Sequence, residues 1–142
     1  MGKWRWLAGA LAVGAWVALS ASPASAETLT AGCETPARYE RLTAWAYYTQ
    51  SDAFHAWHEF QYRLDGLDLG DRNNVNIWIY QNSNVVWDYR SPDSLTPNEV
   101  HTLTLDSPVF TYGGFAEWTK FQGIFDLRLS GDPHCYGRTQ PI

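Results

Sequence analysis

Between residues 65 and 74 the chain reads DGLDLGDRNN, which gathers Asp65, Asp68, Asp71, Asn73 and Asn74 around Gly66 and Gly70. Carboxylates and amide carbonyls on a flexible loop are the hard oxygen ligands that calcium takes. The spacing is not that of an EF-hand loop, and the acidic final position of such a loop is missing. Two readings stand. In one, Asp65, Asp68, Asp71 and Asn73 hold a calcium ion, the single cofactor the sequence suggests. In the other, the default for such a loop, the Asp and Asn side chains cap their own backbone. Asp88, Ser91 and Asp93 follow on the next loop and would extend an acidic rim if the two loops meet.

Aromatic residues are the second chemical resource. Trp45, Trp57, Trp78, Trp87 and Trp118 lie beyond residue 26, with eight tyrosines. Trp57 and Trp78 fall on the more polar face of their segments. There they would stack on the apolar face of a sugar ring or anchor a protein interface. The competing reading places the large aromatics inside the domain.

Catalytic chemistry finds little purchase. Of the four histidines, His55 and His58 share a face only on a helix. Neither an H-E-x-x-H nor a G-x-S-x-G motif is present. The pairs Glu59 with Asp65 and Glu117 with Asp126 have no distinguishing spacing. The chain reads as a non-enzyme. Cys33 and Cys135 are the only cysteines. In an oxidising compartment they form one intrachain disulfide, tying the start of the domain to its end.

The elements that must position these residues read as strands. Residues 39–49 and 53–64 are rich in aromatics and lack Gly and Pro. In the second, Phe54, Ala56, His58, Phe60, Tyr62 and Leu64 share one face, and His55, Trp57, Glu59, Gln61 and Arg63 the other. An amphipathic helix over 39–62 is the alternative, and the weight of aromatics favours strand. Residues 75–80 and 85–89 flank the turn QNSN as a hairpin. Residues 90–99 form a long turn with two prolines. Strands follow at 100–105, 109–112 and 117–129, the last with Phe121, Gly123, Phe125, Leu127 and Leu129 on one face. The tail from Ser130 returns to turn chemistry. About seven short strands without crossover helices predict an all-β antiparallel sandwich whose ends are tied by the disulfide, with a small closed barrel as runner-up.

The leader sets the compartment. Lys3 and Arg5 precede an apolar run from Leu7 to Leu19, and Ala24-Ser25-Ala26 is a small-x-small cleavage pattern. Residues 1–26 are therefore expected to be a secretory signal peptide. Residues 27–38 would be an extended N-terminal arm and 39–142 the single sandwich domain. The part beyond residue 26 holds 15 acidic and 8 basic residues, a formal charge of −7. That balance opposes nucleic-acid or anionic-membrane binding. No second apolar segment is long enough to span a bilayer.

The Trp- and Ala-rich leader and the runs DGLDLGDRNNVNIW (65–78), VWDYRSPD (86–93) and DPHC (132–135) resemble small secreted proteins of high-GC Gram-positive bacteria. Among these the chain resembles the small adaptor subunit of the streptomycete umbrella-type toxin particles. The resemblance implies a small secreted β-domain that links a lectin-bearing subunit to a stalk protein. It makes Glu27, Thr28, Leu29 and Thr30 part of a partner-inserting arm, which would work by strand addition. The leading expectation is thus a non-catalytic secreted module that binds a protein partner within an extracellular complex. Trp57 and Trp78 join the arm as candidate contacts. A carbohydrate-binding domain, assisted by calcium or not, is the alternative. A secreted hydrolase inhibitor presenting loop 90–99 is a further one.

Overall fold

The computed structural model describes residues 25–37, 39–128 and 131–142. The expected signal peptide lies outside these residues apart from Ser25 and Ala26. Among the described residues there are eight strands: β1 (Ser25–Glu34), β2 (Arg41–Gln50), β3 (Phe54–Asp65), β4 (Asn74–Gln81), β5 (Asn84–Arg90), β6 (Val100–Tyr112), β7 (Glu117–Ile124) and β8 (His134–Arg138). They form two antiparallel four-stranded sheets, in the orders β1-β2-β3-β6 and β5-β4-β7-β8. The all-β sandwich is therefore the architecture, with eight strands rather than seven.

The count differs for identifiable reasons. Residues 27–34, expected as an arm, belong to β1 and pair with β2 from Ser25↔Gln50 to Glu34↔Arg41. Their composition is small and polar, so no alternation advertises the strand. Likewise β8 sits in a tail of turn residues and is held by β7 on one side and by the Cys33–Cys135 disulfide behind. The two segments 100–105 and 109–112 are one strand, bent at Asp106–Pro108. Between β4 and β5 only Asn82 and Ser83 form the turn, both at positive φ, as a type I′ hairpin requires.

The core lies between the sheets. Alternation places Leu42, Ala44, Ala46 and Tyr48 of β2 inward, and Val75, Ile77 and Ile79 of β4 against them. The alanines leave room for Trp57 and Phe60 from β3. Phe60 stacks on Trp87 at 5.3 Å and meets Phe121 edge-on. Each such fully buried side chain stabilises by roughly 1.5–3 kcal/mol. At the β1/β8 flank the backbones nearly touch: a Cβ on Gly137 would stand 2.7 Å from the Gly32 carbonyl oxygen. No other residue fits there.

A β-bulge in β3 overturns one expectation. The pairing of β3 with both neighbours shifts around His58, which is the extra residue against β2, while on the other side residues 105–108 of β6 stand opposite it. An inserted residue inverts the inward and outward phase on either side of it. His55 and Trp57 therefore point inward ahead of the bulge, and Phe60, Tyr62 and Leu64 after it. Trp57 is 0% exposed. It is a core residue and not a partner contact.

Two core phenols link this packing to pH. Burial, then the Glu27 and Glu117 carboxylates, push the Tyr48 phenol above its usual value. Burial and the neighbouring Tyr89 push Tyr62 further, well beyond the ordinary phenol range. A raised folded-state value means the folded chain keeps protons that the unfolded chain loses above pH ~10. The stabilisation is complete below that pH and falls as pH rises toward the folded values. Denaturant midpoints are expected to drop steeply above pH ~10, with tyrosinate absorbance appearing together with unfolding. A midpoint independent of pH across that range would contradict this.

Candidate functional site

In β4, Asn76, Trp78 and Tyr80 alternate with the buried Val75, Ile77 and Ile79, so they stand on the outer face of the second sheet. The β4–β7 register sets Asn76 opposite Gln122, Trp78 opposite Lys120, and Tyr80 opposite Trp118. The β7–β8 register adds Tyr136 beside Gln122 and Arg138 beside Lys120. From β5, Asp88 pairs with Trp78 and Arg90 with Asn76. With strands ~4.8 Å apart, the four span roughly 14 Å.

The side chains on this face organise one another. Tyr80 and Trp118 stack with ring centroids 5.2 Å apart and planes 4° from parallel. Lys120 Nζ lies 5.7 Å from the Trp78 ring centroid and 4.6 Å from that of Tyr136. Such cation–π contacts hold an ammonium in place while leaving it solvated. Asn76 Nδ2 donates to Gln122 Oε1 at 2.9 Å, and Gln122 Nε2 donates to the Tyr136 hydroxyl at 2.8 Å. Tyr136 is 50% exposed, while Trp78, Tyr80 and Trp118 are half-buried against one another. The face thus joins four aromatic rings to amides already aligned by hydrogen bonds.

Trp78 is the one candidate of the sequence reading that stands here. Trp118 and Tyr136 join it without a local sequence signal of a binding role. Trp118 was legible through its alternation with buried Thr119 and Phe121, but Tyr136 was hidden in an unrecognised strand. Glu27, Thr28, Leu29 and Thr30 sit far along β1 and face Tyr48, Tyr47, Ala46 and Trp45 of β2. Leu29 packs on the core and the other three are exposed.

The acidic loop is organised by its own backbone. Asn73 is fully buried. Its Nδ2 donates to the Gly70 and Leu95 carbonyls at 2.7 and 3.0 Å, and its Oδ1 accepts from the Asp126 amide at 2.9 Å. Both Nδ2 protons and one lone pair of Oδ1 are therefore spent on the loop's own backbone. Asp65 accepts from Arg63 Nε at 2.6 Å. Asp68 and Asp71 are exposed. Among the described residues no three His, Cys, Asp or Glu side chains come together as a metal centre.

A buried polar chain at one end of the sandwich is a second centre. Trp57 Nε1 donates to Thr111 Oγ1 at 2.9 Å. An indole N–H only donates, so the Thr111 hydroxyl proton goes to Glu117 Oε2. His55 Nδ1 donates to the same oxygen at 2.9 Å. Glu117 is 0% exposed, and its Oε1 has no partner among the described residues. His55 borders a polar cleft with Gln50, Ser51 and Asp52. A carboxylate-oriented imidazole is what a general base needs. The nearby Ser51 hydroxyl, however, donates to the Phe54 carbonyl and accepts from its amide, so its proton is committed. The arrangement reads as structural.

A third surface is apolar. Phe54, Phe110 and Tyr112 share the outer face where β3 meets β6, with Phe54 and Phe110 edge to face at 5.2 Å. Tyr112 is 67% exposed.

Comparisons with protein-family models, with curated proteins and with solved structures found no match.

Proposed function

We propose that the chain is a secreted, non-catalytic binding module whose outer β5-β4-β7-β8 face holds a saccharide. One observation carries the reading: the parallel Tyr80–Trp118 stack stands beside Trp78 and Tyr136 on a sheet face that ordinarily carries solvated polar residues. Sugars offer an apolar C–H face to aromatic rings, and their hydroxyls match the donors and acceptors of amides. Asn76 and Gln122 supply those amides next to the rings. The signal-peptide pattern supports secretion, and a disulfide is compatible with it.

The test is tryptophan fluorescence titrated with soluble oligosaccharides, with retardation in polysaccharide-containing gels as an independent readout. Trp118→Ala is expected to weaken binding about tenfold, or about 1.4 kcal/mol. Trp57→Phe, a change in the core, is expected to leave affinity unchanged. A wild-type chain that neither shifts in fluorescence nor slows in any gel would sink the reading.

The adaptor reading draws on a different surface. Contiguous exposed aromatics such as Phe54, Phe110 and Tyr112 mark protein-contact surfaces more often than bare solvent faces. A stoichiometric protein partner lost on Phe110→Ser would assign the chain to a protein complex through this surface.

A further inference from the structure

The chain is acidic, with a formal net charge of −5, yet its second sheet presents the opposite sign. Arg90, Lys120 and Arg138 stand on the outer face, against the single carboxylate of Asp88. Elsewhere Arg41 pairs with Glu34, Arg63 with Asp65, and Arg72 with Asp93. Among the described residues no carboxylate lies within ion-pair distance of the three cations on this face.

Two of them oppose each other directly. Lys120 and Arg138 are register partners in the β7–β8 ladder. Like charges in that position repel and destabilise a sheet. Lys120 is the only lysine among the described residues, and its ammonium is held between the Trp78 and Tyr136 rings. The cations and the stacking rings therefore occupy one surface. The distant acidic residues matter little to it, because salt screens charges beyond about 8 Å at physiological ionic strength.

We infer that this face binds an anionic glycan, a polymer whose sugar units carry carboxylate or sulfate groups. Lys120 and Arg138 take the acidic group, while Trp78 and Trp118 receive the sugar ring. The inference rests on the saccharide-binding reading above and adds the charge of the ligand to it. Single-stranded nucleic acid also offers stacking and negative charge. Three cations and two aligned amides suit a hydroxyl-rich polymer better than a phosphate at every unit.

The experiment uses matched polymers. Polygalacturonate is compared with its fully methyl-esterified form, which keeps the backbone and removes the charge. Chondroitin sulfate tests sulfate as the source of the anion, and a single-stranded oligonucleotide is the competitor. Wild-type chain is expected to bind polygalacturonate or chondroitin sulfate at least tenfold more tightly than the methyl ester, with affinity falling as salt rises. The double variant Lys120→Gln, Arg138→Gln is expected to erase that preference while its circular dichroism shows the chain still folded. Equal binding of charged and esterified polymers, unaffected by the double variant, would overturn the inference and leave the saccharide reading standing. No binding to polygalacturonate or chondroitin sulfate would overturn the inference, and the saccharide reading would then be decided by the neutral oligosaccharides above. Displacement of the bound glycan by the oligonucleotide at lower concentration would assign the face to nucleic acid instead.

Discussion

Replacing Cys33 and Cys135 together by alanine is expected to cost about 4–5 kcal/mol of folding stability. The two residues are 102 positions apart, so the bond closes nearly the whole domain into one loop. Chain-entropy arguments place a loop of that length near the upper end of disulfide stabilisation. The native side is already prepared for the bond. The Gly32 and Gly137 backbones meet at the same flank, and β8 has only five residues with which to hold itself against β7. A small domain rarely has more than 5–15 kcal/mol in total, so the loss is a large share. Urea unfolding of the double variant, and of the wild type with and without reductant, reads it directly. A loss below about 1 kcal/mol would mean that the unfolded chain stays compact without the crosslink.

Glu117→Ala is expected to cost about 2–6 kcal/mol, since it leaves two buried donors without an acceptor and each stranded group costs about 1–3 kcal/mol. Glu117 is fully buried and receives protons from His55 and Thr111 on one oxygen. Truncation strands both donors. It also releases Thr111, which accepts from the Trp57 indole, so the effect reaches the core. Glu117→Gln keeps an oxygen for those donors and is expected to recover part of the loss. Chemical denaturation of wild type, Glu117→Ala and Glu117→Gln measures the order. Equal stability of all three would show that the chain of hydrogen bonds contributes nothing net. Because β7 begins at Glu117, the same carboxylate anchors the strand that carries Trp118 and Lys120 to the outer face.

The architecture was readable where alternation is regular. Val75, Ile77 and Ile79 announce an inward face and Asn76, Trp78 and Tyr80 an outer one, and the structure keeps both. Legibility fails at His58, since nothing local marks a residue as the inserted member of a bulge. That phase error carried Trp57 from the core to the surface in the sequence reading. It fails again at β1 and β8. Their residues are held by pairing partners and a covalent bond remote in sequence, and carry little intrinsic strand preference. The candidate face was only half visible, because two of its four strands contribute through register. Opposition of Lys120 to Arg138 is a property of the ladder and leaves no trace in spacing along the chain.

The staple near the chain ends has a mechanical meaning. Tension applied at the two termini enters at Cys33 and leaves at Cys135, so it travels through the sulfur–sulfur bond and bypasses the intervening polypeptide. The chain outside the two cysteines carries the load. Oxidised, the chain between the two cysteines is bypassed by a pull and is not unravelled by it. The part of the candidate face carried by β4, β5 and β7 lies inside the staple and would keep its shape under load, whereas Tyr136 and Arg138 follow Cys135 and stand on the loaded segment.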